Sequence, residues 1–115
     1  MIKIGFCGAT HLGLCYSAAA VDKGFEAICF DFDKKKIQSF NNNEIDVDEP
    51  NLLKLIIKNR RRLNFTNDIK QLSSCDFVYF SYDVNTNSSG VSDQVATRKK
   101  LENLINNLKK KIPIV

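Results

Sequence analysis

An apolar run, Ile2–Cys7, stops at Gly8 and gives way at His11 to a helical spacing, with Leu12, Cys15, Tyr16, Ala19 and Ala20 recurring at three and four. A buried strand that enters a helix through so short a turn must be crossed back over by that helix, so the next strand runs parallel to it. Gly24 after Lys23 stops the helix. Phe25–Phe32 reads as a second strand and Asp33–Phe40 as a second helix, ended by Asn41–Asn43. Beyond the acidic loop Glu44–Pro50, Asn51 is a candidate cap for a helix over Leu52–Lys58. Leu63–Thr66 is a third strand, Asn67–Leu72 a short helix with Asn67 as its cap, and Asp76–Tyr82 an aromatic fourth strand. A polar loop, Asp83–Gly90, precedes a long helix capped by Ser92 and running to about Asn107, with Val95, Leu101, Leu104, Ile105 and Leu108 facing inward. Ile112–Val115 begins a fifth strand.

Strands alternating with helices predict an α/β fold, a Rossmann-like doubly wound, mostly parallel sheet with helices on both faces and right-handed crossovers. With 115 residues the chain is one domain, 1–115. Because it ends on an apolar strand, we expect it to be the N-terminal part of a longer protein.

The first strand–helix junction reads Gly8-Ala9-Thr10-His11-Leu12-Gly13. Its context is that of the dinucleotide fingerprint G-x-G-x-x-G. Gly8 permits the tight turn, Gly13 permits close packing of helix on strand, and the helix N-terminus offers backbone N–H groups to a pyrophosphate. Thr10 stands where the second glycine is expected. Its β-carbon crowds the approach, while its hydroxyl could donate to a phosphate. Asp31, 23 residues after Gly8, ends the second strand where an acid is expected. It reads either as acceptor for the ribose hydroxyls, which would favour NAD over NADP, or as a cap of the second helix. His11 is read as a packing or cap-side residue rather than a catalytic base.

Other functions find less support. Seventeen basic residues stand against thirteen acidic. Residues 1–50 hold five against eight, net −3, and residues 51–115 hold twelve against five, net +7. The bases fall in short runs, Lys34–Lys36, Arg60–Arg62 and Lys109–Lys111, at helix ends or loops. They read as solvated surface, and no nucleic-acid partner is expected. No apolar run approaches the ~18 residues that span a bilayer, so no membrane partner is expected. Without a signal-peptide pattern, a cytoplasmic location is expected. Cys7, Cys15, Cys29 and Cys75 form no CxxC pair and have one histidine for company, so no metal site is expected and the thiols read as reduced and structural.

The segment from Lys3 to Ile37 resembles the N-terminal dinucleotide-binding domain of the UDP-glucose/GDP-mannose dehydrogenase family. Asp48-Glu49-Pro50-Asn51-Leu52 resembles its Y-E-P-G-L segment, Arg61–Asp68 its R-L-x-x-T-x-D strand, and Cys75–Val78 its D-A-D-x-V strand entry. Asp83–Asn87 resembles V-P-T-P in a D-V-P-T-N form, and Gly90 with Asp93 matches the following G-x-x-D. The resemblance implies NAD as cofactor, with Gly8, Ala9, Thr10, His11, Leu12 and Gly13 at the pyrophosphate and Asp31 at the adenosine ribose. It places Lys36 near the adenosine and Thr86 beside the nicotinamide half. Asn85 and Asn87 replace the two prolines of that last motif.

The resemblance also implies oxidation of the C6 alcohol of a nucleotide sugar to a carboxylate, with NAD as oxidant. The family's catalytic thiol sits in a G-x-C-x-P-K-D context that none of the four cysteines matches. No catalytic residue is therefore expected here, and the 115 residues alone are expected to be inactive, engaging a nucleotide sugar only with further domains. The alternatives are a non-catalytic dinucleotide- or nucleotide-sensing module of the same fold, or an interaction domain whose cofactor site has decayed.

Overall fold

The computed structural model describes residues 1–49, 51–82, 90–108 and 111–115, with the backbone alone for 90–94. Four strands, β1 (Lys3–Cys7), β2 (Glu26–Phe30), β3 (Leu63–Thr66) and β4 (Phe77–Phe80), form one sheet in the order β3-β2-β1-β4, with every pair parallel. The helices are α1 (His11–Asp22), α2 (Lys34–Asn41), α3 (Leu52–Lys58) and α4 (Gly90–Asn107), with a 3₁₀ helix at Ile69–Ser74. From β1 the chain winds outward to β2 and β3, then returns to place β4 on the other flank of β1. That reversal makes β1 the switch point, the place where open α/β sheets bind ligands at the carboxyl ends of their strands. The register sets Cys7 beside both Phe30 and Phe80, so the residues leaving β1, β2 and β4 converge at one edge.

Both faces of the sheet are covered. Phe6, Cys29 and Phe65 pack under Leu14, Ile37 and Ile56 of α1, α2 and α3. Cys7, Phe30 and Val78 face Leu72 and Leu104 on the opposite side. Strands buried twice over explain why these runs are apolar without alternation.

Several expected details change. The buried face of α1 is Leu14, Ser17, Ala18 and Val21; of the expected stripe only Cys15 and Ala20 pack against the core, half-buried at its edge. Leu12 and Tyr16 stay exposed, Tyr16 set edge-on to Tyr79 of β4 at 5.6 Å. Asn51 does not cap α3 through its side chain; it takes a left-handed conformation, φ 66°. The 3₁₀ helix is capped by Asp68, whose carboxylate accepts from Lys70 N, rather than by Asn67.

α4 begins at Gly90, so Ser92 lies inside it rather than capping it. Leu104 is buried, with Leu101 and Leu108 beside it. Val95 and Ile105 are exposed, lying about 180° and 100° around the helix from Leu104. The fifth strand is reduced to a parallel bridge of Ile114 with Val78, in which Val115 N donates to Val78 O at 2.9 Å. Pro113, two residues earlier on the same edge, has no N–H with which to extend the ladder.

Candidate dinucleotide-binding site

Gly8 sits at φ 122°, where only glycine rests comfortably, and its amide donates to Phe30 O at 2.8 Å. Thr10, extended, caps α1: its Oγ1 accepts from Gly13 N at 3.2 Å and donates to Ser81 O at 2.7 Å. Ser81 answers by donating to Gly8 O at 2.6 Å. The single Thr10 proton is thus committed to the end of β4, and the expected donation to a phosphate is replaced by a tie within the protein. A β-carbon on Gly13 would lie 1.9 Å from Gly8 O, so the helix approaches the strand as closely as the fingerprint requires. The amides of His11 and Leu12, in the open first turn of α1, have no acceptor among the described residues.

Asp31 leaves β2 at 4% exposure. Its Oδ2 accepts from Ala9 N and its Oδ1 from Asp33 N, each at 2.8 Å. It does not cap α2; Asp33 does so, accepting from Lys36 N at 3.1 Å. Asp31 therefore braces the glycine turn, with the Tyr82 hydroxyl also against its carboxylate. Tyr82, just beyond β4, accepts the Phe32 amide on its hydroxyl at 3.2 Å and carries Lys100 4.2 Å above its ring. Burial, and then the Asp31 and Cys7 charges beside it, push this phenol well above its ordinary value.

Lys36 is half-buried and lines a cleft of about 390 Å³ with Asp33, Ser39 and Glu44. His11 is exposed, its Nε2 2.9 Å from Glu49 Oε1. Thr86, Asn85 and Asn87 lie outside the described residues. Sequence reasoning missed Ser81 and Tyr82. The usable signal was positional: in a doubly wound order the residues after β4 must meet the turn after β1.

Arg60 donates to Asn41 Oδ1 at 2.7 Å and lies over the Phe65 ring, and Arg62 donates to Val21 O at 2.9 Å.

Residues 2–115 match the model of the UDP-glucose/GDP-mannose dehydrogenase family, NAD binding domain. The chain belongs to that family. It is 33% identical over 96 residues to UDP-glucose 6-dehydrogenase TuaD of Bacillus subtilis (strain 168), covering 81% of this chain and 21% of that protein. It is 35% identical over 81 residues to UDP-glucose 6-dehydrogenase of Rhizobium meliloti (strain 1021), covering 69% and 18%. The GDP-mannose dehydrogenase structure from Pseudomonas aeruginosa superposes with a TM-score of 0.80 at 19% identity, over 98% of this chain and 27% of that one. The fold is shared accordingly, and the chain spans about a fifth of the length of the curated relatives it matches.

As an NAD binding domain of this dehydrogenase family, the chain fits its cofactor on structural grounds. Two unpaired helix-start amides lie at the switch point, no β-carbon stands at Gly8 or Gly13, and the Asp31 carboxylate ends β2 against the same turn. Cys7, Cys29 and Cys75 are buried, and burial pushes the Cys7 and Cys29 thiols up to about 12.

Proposed function

We propose that this domain holds NAD for the oxidation of a nucleotide sugar of the UDP-glucose class, in the cytoplasm, with the cofactor's pyrophosphate over Gly8–Gly13. The observation that carries this reading is the pair of unpaired amides at His11 and Leu12, two residues from a turn locked by Asp31. A helix start of this kind favours an anion by ~0.3–1 kcal/mol before direct hydrogen bonds are counted. Ala9 and Thr10 complete the cradle, Thr10 by shaping it rather than by donating. The Asp31 carboxylate takes the adenosine ribose hydroxyls, and its charge repels a 2′-phosphate. Lys36 flanks the adenosine, and Thr86 the nicotinamide half.

Hydride acceptance from the sugar carbinol is the chemistry that NAD supplies when bound. The residues of this chain bind and orient; none is assigned a proton or covalent step, since no cysteine here stands in the family's thiol context. Calorimetric titration of the 115-residue chain with NAD and with NADP tests the reading. NAD is expected to bind the more tightly, and equal or tighter NADP binding would remove Asp31 from the site. With UDP-glucose and NAD together, the same chain is expected to form no NADH above a protein-free control.

A further inference from the structure

At the N-terminal end of α1 the fold brings together a nitrogen, a sulfur and an oxygen that the sequence keeps apart. The ligand atoms of His11, Cys15 and Glu49 all lie within 4.8 Å of one another. His11 and Cys15 are four residues apart on α1, so both side chains rise from one face, a turn apart. Glu49 arrives from the loop before α3 and already meets His11 Nε2 at 2.9 Å.

We propose that His11 Nε2, Cys15 Sγ and a Glu49 carboxylate oxygen form a three-ligand site for a divalent transition metal of the zinc class, with a fourth position open to solvent. Tetrahedral zinc, with bonds of about 2.0–2.3 Å, sets its ligands about 3.3–3.7 Å apart. The His11–Glu49 pair must open by roughly half an ångström and the widest pair must close by roughly one. Both movements fall on His11 and Glu49, which are exposed, while half-buried Cys15 anchors the site. Cys15 is half-buried against the core, and its sulfur lies within reach of the exposed His11–Glu49 contact. The sulfur also selects the ion, since thiolate suits zinc and cobalt and disfavours magnesium and calcium. No short spacing announces such a site, because Glu49 lies 38 residues from His11.

Cobalt(II) reports the site directly, through thiolate-to-metal charge transfer in the near ultraviolet. The reduced, metal-free 115-residue chain is expected to bind one Co²⁺ with that band, to lose it to Zn²⁺, and to keep it in about a hundredfold excess of Mg²⁺. Cys15→Ser is expected to abolish the band. Glu49→Gln is expected to keep it while weakening binding at least about tenfold, the lower end of what even an outer partner of a metal ligand is worth. Absence of the band in the wild-type chain overturns the proposal. So does its survival in Cys15→Ser, which retains Cys7, Cys29 and Cys75, its displacement by Mg²⁺, or unchanged affinity in Glu49→Gln. Far-ultraviolet circular dichroism checks that both variants fold, and if Cys15→Ser does not, the exposed-loop variant Glu49→Gln decides alone.

Discussion

Asp31 accepts the amide of Ala9 at 2.8 Å, across 22 residues of chain and inside the protein. One carboxylate oxygen thereby sets the turn after β1 while the other holds the turn after β2. The residue expected to read the ribose is also a structural brace, and its two roles separate by measurement. Asp31→Asn keeps the size but turns an amide NH₂ toward a backbone N–H, leaving a buried donor unpaired. Urea denaturation without cofactor should show a loss of about 1–3 kcal/mol. An unchanged midpoint would show that the brace contributes nothing to stability.

Gly13 and Gly24 should respond very differently to alanine. At Gly13 the new β-carbon would meet Gly8 O at 1.9 Å, and no side-chain rotation relieves a backbone clash. Gly13→Ala should destabilise at or beyond the top of the ~1–3 kcal/mol usual for overpacking. Gly24, at φ 101°, has nothing within 4 Å, so Gly24→Ala meets only backbone strain of about 1–3 kcal/mol. Thermal unfolding of the two variants tests the ranking, which the reverse order would refute.

Thr10 should be replaceable by serine and not by valine. Serine keeps both the bond from Gly13 N and the bond to Ser81 O; valine keeps the bulk and loses both. Thr10→Val should cost about 1–2 kcal/mol of stability as a lost helix cap, and Thr10→Ser a few tenths. NAD affinity should follow the same order, because the hydroxyl acts through the shape of the turn. Tighter NAD binding by Thr10→Val, measured by calorimetry, would contradict this.

Alkali should unfold the domain through its buried thiols. Cys7 and Cys29 are raised from 9.0 to about 12, chiefly by burial. Below pH 9 the folded and unfolded chains both hold these protons, and the thiols impose no pH dependence. From pH 9 to 12 the unfolded chain releases them and the folded chain does not, so stability falls by about 1.4 kcal/mol per pH unit for each thiol. Denaturation followed from pH 9 towards 11 should show this slope in the wild type and a shallower one in the Cys7→Ala/Cys29→Ala double variant.

The order of elements and the glycine turn were legible in the sequence because both are local: runs of apolar residues, their spacing, and Gly8 and Gly13 at fixed offsets. α3 and β3 fall where the spacing places them. What was hidden depends on distant partners. The choice between Asp31 and Asp33 as cap of α2 turns on where Ala9 N lies. The packed face of α1 was misread because that helix is apolar nearly all round, and only the approach to β1 selects Leu14 and Val21 over Leu12 and Tyr16. Val95 and Ile105 are apolar yet exposed, and no periodicity separates them from Leu104 until the helix is docked.

The hydrogen bonds that join Thr10 and Gly8 to Ser81 span 71 and 73 residues. A peptide carrying all six residues of the glycine turn would therefore hold the motif without its shape. During synthesis the turn leaves the ribosome well ahead of Ser81 and waits 71 residues for its last supports to arrive. A loop closure of that length is slow and entropically costly. Cofactor competence should accordingly appear as one of the last events of folding, and any lesion that frees the end of β4 should erase it without touching the turn.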